Sequence, residues 1–294
     1  MSSEPARGQR WRREIGCWAR GFFLGLMVSA LIGCSRKPPV ETFAIAGTTL
    51  ALQRVGKGGP TIVYEGSAGP YSGIESGEKL RKRFGSLTTV VTYARAGRSP
   101  SGPVTTPRTL INVTDELHAL LAAAGCRPPY VLIGASLGGI YVRAFAMRFP
   151  DEVVGLVLVE SAHERLWLEG DRILGLAPGT AVKNTIDVLR ARPDPISVRE
   201  MEDLAPVWAT GELGLPGKQP DVPLVVLTGL KPDRPASQLA ILRRLHAEVF
   251  ASSTRGMHIV SHKSGHNFFA GEPELVFGAV RWVVDAARDI KPLP

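Results

Sequence analysis

Gly134-Ala135-Ser136-Leu137-Gly138 sets a serine between two glycines, with the apolar run Tyr130–Ile133 before it and helical spacing over Gly139–Phe149 after it. A strand that turns this sharply into a helix needs glycines, because Cβ atoms there would collide with neighbouring backbone. The turn holds Ser136 at the carboxyl end of the strand, hydroxyl exposed, above a helix N-terminus. That is the placement of a nucleophile. A serine hydroxyl is a weak nucleophile until a base takes its proton, so a histidine must reach it. There are six histidines. His118 and His246 fall within helical segments, where surface or packing roles are expected. His258 and His262 flank the last strand, and His163 follows the run Val153–Val159. Only His266 follows the final strand, has a glycine before it, and comes last in the order serine, acid, histidine. The acid must orient the imidazole and stabilise its cation. Glu160, which closes an apolar run, is costly to bury without a partner, and that favours a function. Asp233, the only carboxylate in the loop after Leu224–Leu227, is the alternative. One oxyanion donor, the backbone N–H of Leu137, follows from its position behind the serine.

These groups need a frame. The chain has 294 residues, 44% hydrophobic and 21% charged, ample for one sizeable core. Whole-chain disorder is excluded, and three cysteines cannot staple a chain of this length. The 35 Lys+Arg against 27 Asp+Glu give +8, but the charges are scattered and no nucleic-acid motif accompanies them, so no nucleic-acid partner is expected. Metal-ligand spacings, a phosphate-binding lysine loop and flavin motifs are all lacking, so neither metal nor cofactor is expected.

Thr42–Ala46 and Thr49–Arg54 alternate like a hairpin, and Thr61–Tyr64 reads as a buried strand before the loop Glu65–Gly73. Glu75–Phe84 has helical spacing, Thr88–Thr92 reads as a strand, and Leu110–Ala124 as an amphipathic helix with Asn112 or Thr114 on its polar face. Tyr130–Ile133, Val153–Val159 and Leu224–Leu227 are apolar runs of buried-strand type, and Ala236–Ala251 is a further helix. This alternation predicts an α/β fold with a mostly parallel central sheet and helices on both faces. Residues of about 162–220, with Trp167, Trp208 and a Pro-rich middle, lack strand-like runs and are expected to be a helical cap that shapes the pocket.

With those residues in place, the sequence resembles the α/β-hydrolase fold superfamily over essentially all of 42–290. Glu65-Gly66-Ser67 sits where that family has its His-Gly oxyanion loop, which makes the Ser67 N–H the second oxyanion donor. Tyr93-Ala94-Arg95-Ala96-Gly97-Arg98-Ser99 resembles the family's Asp-Arg-x-Gly-x-Gly-x-Ser turn, and Ser264-Gly265-His266-Asn267-Phe268 resembles its catalytic histidine loop. Glu65 replaces the usual His and Ala94 the usual Asp, both at loop-supporting positions. Some branches carry the triad acid where Glu160 stands, whereas Asp233 comes later than the commoner position. The resemblance implies a serine hydrolase acting on a small ester-like substrate through an acyl-enzyme. A C–C hydrolase or cofactor-free peroxidase on the same triad, or a non-catalytic binding lipoprotein, are the alternatives.

The N-terminus carries an address. Arg7, Arg10, Arg12, Arg13 and Arg20 precede the apolar run 22–32, which has the length of a signal-peptide core and is short for a bilayer span. It ends in Leu31-Ile32-Gly33-Cys34, which resembles a bacterial lipobox, with a single-pass anchor as the alternative. Residues 1–33 are then a signal, and 34–41 a lipidated Cys34 with a basic tether. Losing five Arg and two Glu with the signal lowers the net charge from +8 to +5. Ser35 resembles the residue of lipoproteins sent to the outer membrane, facing the periplasm. Acyl chains at about 0.8 kcal/mol per buried methylene would make a firm anchor. Full-length protein is therefore expected to partition with membranes and take up labelled palmitate. Label retained by Cys34→Ser would refute the lipobox.

Overall fold

The computed structural model describes residues 37–69 and 73–289. The predicted signal and Cys34 lie outside the described residues. Among the described residues no helix is long and apolar enough to cross a membrane.

The chain runs β1 (Glu41–Ile45), β2 (Thr48–Val55), β3 (Thr61–Glu65), α1 (Glu78–Phe84), β4 (Val90–Ala94), α2 (Leu110–Ala123), β5 (Tyr130–Ala135), α3 (Leu137–Arg148) and β6 (Val153–Val159). Four helices follow: α4 (Leu166–Leu174), α5 (Thr180–Arg190), α6 (Pro195–Asp203) and α7 (Ala205–Thr210). The chain then completes β7 (Leu224–Gly229), α8 (Ala236–Phe250), β8 (Gly256–Ser261), α9 (Phe268–Gly271) and α10 (Pro273–Arg288). The helices α4 to α7 lie between β6 and β7.

The strands form one sheet in the order β1-β2-β4-β3-β5-β6-β7-β8. β1, β2 and β4 pair antiparallel, and every other pair is parallel. Both faces are covered, which is why β3, β4, β5 and β7 are buried at every residue and read as continuous apolar runs. Alternate side chains supply two cores. Leu132, Leu156 and Val226 pack with Leu120 and Phe145 of α2 and α3, while Val131, Val157 and Val225 pack with Leu80 of α1 and Val280 of α10. A third cluster seats Met201, Leu204 and Trp208 of the insertion on Leu137, Ile140 and Tyr141 of α3.

Local chemistry shifts several expected boundaries. α1 begins at Glu78 and not Glu75, because Ser76 Oγ bonds both the N–H and the C=O of Gly73 and closes a separate turn. β4 begins two residues late, since Thr88 Oγ1 donates to Pro60 O at 2.6 Å and Thr89 Oγ1 to Gly58 O at 2.8 Å. Thr114 is buried, contrary to its expected place on a polar face, and its hydroxyl is satisfied by Leu110 O at 2.6 Å.

The strand-to-helix turn explains its glycine. A Cβ on Gly134 would lie 2.6 Å from Gly139 Cα and 2.8 Å from Gly138 O, both backbone atoms that cannot rotate away. Overpacking of this kind costs roughly 1–3 kcal/mol. Gly134→Ala should lose that much stability in urea denaturation, and an unchanged midpoint would show that the turn relaxes freely.

Candidate active site

Strand register brings the site together. Glu65 pairs with Gly134, Ala135 with Val159, Val159 with Leu227, and Gly229 with Ser261. The carboxyl ends of β3, β5, β6, β7 and β8 therefore finish side by side, and Ser67, Ser136, Glu160 and His266 all lie just beyond them. In open α/β sheets this crevice is where ligands bind.

Ser136 is the N-cap of α3 with φ 51° and ψ −121°. That is a left-handed backbone for a non-glycine residue, with a cost of order 1–3 kcal/mol that surrounding bonds must offset. They are present: Ser136 N donates to Val159 O at 3.1 Å, and Ser136 O accepts from Ala162 N at 2.8 Å and Gly139 N at 2.9 Å. Glu160 is also left-handed, φ 46°, and its N–H donates to Leu227 O at 3.0 Å.

The Glu160 carboxylate is buried and fully engaged. Oε1 accepts from Gly229 N at 2.9 Å, while Oε2 receives Arg234 Nη1 at 3.2 Å and contacts His266 Nδ1 at 3.1 Å. Burial alone would raise its pKa. The His266 hydrogen bond, the Arg234 charge and the Gly229 N–H outweigh it and hold the carboxyl below its ordinary range. His266 itself is 57% exposed at its side chain. Asp233, the alternative acid, pairs with Arg234 Nε at 3.5 Å, and no bond to His266 is found among the described residues.

Ser67, Ser136 and His266 line one cavity of about 560 Å³. Its walls also include Tyr64, Glu75, Lys79, Val159, Phe268 and Phe269. Lys79 Nζ donates to Phe269 O at 2.9 Å and ties the two rims. The insertion was expected to shape this pocket, yet residues 162–220 supply none of its walls. Their apolar side chains are instead spent on α3. Leu137, as the first residue of α3, has an N–H without an intrahelical acceptor. Among the described residues no cluster of His, Cys, Asp and Glu suits a metal ion.

One element of the site, Arg234, escaped the sequence. Arg234 follows Asp233 directly, and the only signal for it was a cation in that same loop. His246, expected at a surface or packing position, is buried behind Glu160. Its Nε2 lies 2.7 Å from Ser161 O and must donate there, so its Nδ1 accepts from Thr228 Oγ1 at 2.7 Å. Thr228 Oγ1 in turn meets His258 Nε2 at 2.8 Å. Burial pushes His246 down to about 4, which keeps it neutral. His118 and His163 have local partners: His118 stacks on Phe149 and meets Glu152 at 3.0 Å, and His163 Nδ1 accepts from Arg165 N at 3.1 Å.

Comparison with known proteins agrees with this architecture. The Uncharacterized protein YqjL of Bacillus subtilis is 26% identical over 245 residues, 82% of this chain and 90% of that one. A hydrolase from Pseudomonas aeruginosa superposes with a TM-score of 0.58 at 19% identity, covering 85% of this chain and 100% of that one. A thermophilic esterase from Thermogutta terrifontis superposes with a TM-score of 0.53 at 19% identity, covering 85% and 99% respectively. Likeness at such identities shows the fold, with function to be argued from the site. Residues 70–279 match the alpha/beta hydrolase family as a whole, and on that match the chain belongs to it.

Proposed function

We propose that this hydrolase cleaves a carboxylic ester through an acyl-enzyme, with Ser136 as nucleophile, His266 as general base and acid, and Glu160 as the orienting carboxylate. The observation that carries the reading is the contact of His266 Nδ1 with Glu160 Oε2 beside the cavity that Ser136 lines. A carboxylate held ionised accepts, so Nδ1 keeps its proton and Nε2 presents a lone pair. Nε2 takes the Ser136 proton as Oγ attacks the ester carbonyl, and gives it to the leaving alkoxide as the C–O bond breaks. Water then repeats the cycle on the acyl-enzyme. The Leu137 and Ser67 N–H groups face the oxyanion of each tetrahedral intermediate. We further propose that Cys34 lipidation holds this activity at the bacterial cell envelope, from the lipobox-like Leu31-Ile32-Gly33-Cys34.

The Glu160 pairing has a stability signature. Its folded pKa lies below its unfolded value, so its stabilisation is present above about pH 4.3 and lost as pH falls through the folded pKa. In urea denaturation the stability gap between wild type and Glu160→Gln should be open at about pH 7 and shrink below about pH 4. A gap that ignores pH would remove the ionised pairing.

The activity test uses a fluorophosphonate probe and p-nitrophenyl acyl esters. Wild type should be labelled and active, and Ser136→Ala neither. Glu160→Gln should lower kcat by roughly 10²–10⁴, while Asp233→Asn stays within roughly tenfold, both remaining folded by circular dichroism. Labelling that persists in Ser136→Ala would sink the nucleophile assignment, and the reverse order of the two acids would pass the role to Asp233.

A further inference from the structure

Arg95 is buried, and every one of its nitrogens is committed. Nη1 pairs with Glu65 and donates to Gly66 O at 2.9 Å. Nη2 donates to Ser67 O at 3.0 Å and Glu200 Oε2 at 3.3 Å, and Nε donates to Glu200 Oε1 at 2.7 Å. Glu200 lies on α6 of the insertion, wholly buried, and also receives Arg98 Nη2 at 3.1 Å. Arg98 continues to Asp194 at 2.7 Å, at the start of the same helix. A single guanidinium thus spans from the loop that carries Ser67 to a helix that supplies no wall of the cavity.

The geometry of that span is specific. The C=O of Gly66 and the N–H of Ser67 belong to one trans peptide and point in opposite directions. Holding Gly66 O on Arg95 fixes that plane and turns the Ser67 N–H away from the guanidinium. Gly138 lets the loop approach closely, because a Cβ there would run into Glu65 O and lie 2.6 Å from Gly66 O. Ser67 is left on the cavity wall with Ser136. An oxyanion donor contributes only when its N–H is aimed in advance, and removing one such donor typically costs 10²–10³ in kcat.

We propose that Arg95 is a positioning residue that aims the Ser67 N–H, and that Glu200 passes the seating of α6 to it, so the insertion acts on catalysis through the oxyanion loop and not as a pocket wall. This rests on Ser67 being an oxyanion donor in the ester hydrolase proposed above. The bidentate Glu200–Arg95 pair uses a planar fork that lysine cannot reproduce.

The test compares full-length wild type, Arg95→Lys and Glu200→Gln in detergent, each first shown folded by circular dichroism. Three quantities are read: kcat on p-nitrophenyl butyrate, affinity for an alkyl trifluoromethyl ketone that forms an oxyanion on Ser136, and affinity for the matching amide, which forms no adduct. In Arg95→Lys, kcat should fall at least tenfold and ketone affinity by a similar factor, with amide affinity within about threefold. Glu200→Gln should shift the same two quantities, by a smaller factor of at least threefold. Should Arg95→Lys fail to fold, Glu200→Gln decides. A kcat within twofold of wild type, or ketone and amide weakening equally, would overturn the positioning role and leave Arg95 a structural ion pair. A wild type that neither hydrolyses ester nor is labelled at Ser136 would instead remove the esterase reading beneath it.

Discussion

The backbone of Ser136 is hydrogen-bonded to the end of β6, and the rest of the site follows from that attachment. Its N–H reaches Val159 and its C=O receives Ala162, so Ser136 brackets the two residues on either side of Glu160-Ser161. The turn after β5 and the turn after β6 are therefore one hydrogen-bonded unit. Both contain a non-glycine residue with positive φ, Ser136 and Glu160. Such strain persists only where neighbours over-determine it. Here Ser136 is held by the two residues that flank Glu160-Ser161, and Glu160 is held in turn by Leu227 O of β7, so the two strained turns are secured in series from the sheet.

Buried charge adds a second layer of constraint. Isolated charges do not survive in a core, so each must be paired and its remaining hydrogen-bonding groups satisfied. Glu65 and Ala94, the two departures from the family's usual residues, make sense together in this light. Glu65 offers Arg95 a carboxylate and also accepts from Tyr93. Ala94 packs with Ala51 and Ile74, where a carboxylate would be buried among apolar groups without a partner. The cluster of Glu65, Arg95 and Glu200 contributes less through net stability than through geometry, since an ion pair has directional demands that Leu on Leu does not.

The fold was legible because its signals are local. Central strands covered on both faces must be apolar throughout, and runs such as Val153–Val159 can be little else at that length between turn residues. The sharp turn at Ser136 was legible in part for the same reason, since Gly134 is dictated by the backbone of Gly138 and Gly139, whereas Gly138 is dictated by the distant carbonyls of Glu65 and Gly66. What faces His266 was legible only as a choice between Glu160 and Asp233. Glu160 and His266 are 106 residues apart, and a strand end next to β7 became a partner only through sheet order. Arg234 could not be read in advance because the carboxylate it meets, on Glu160, lies 74 residues away in the chain. The insertion misled in another way. Its helices could be read from composition, but which surface they cover depends on the apolar face of α3, and that face directs them away from the cavity.

Burial differs sharply between the two members of the His266–Glu160 contact, and this decides which of them sets the geometry. The histidine side chain is 57% exposed, the carboxylate 1%. A loop residue so open to solvent gains little orientation from packing, so its ring must take direction from a fixed hydrogen-bond partner. Glu160 is such a partner, because Gly229 N–H and Arg234 hold its oxygens while β6 and β7 hold its backbone. Behind it, the chain His246–Thr228–His258 secures Ser161 O by hydrogen bonds. Rigidity therefore runs outward, from sheet to turn to carboxylate to imidazole. In the proposed mechanism the group that shuttles protons is the last and least confined in that series, which leaves it room to tilt between nucleophile and leaving group without disturbing anything beneath it.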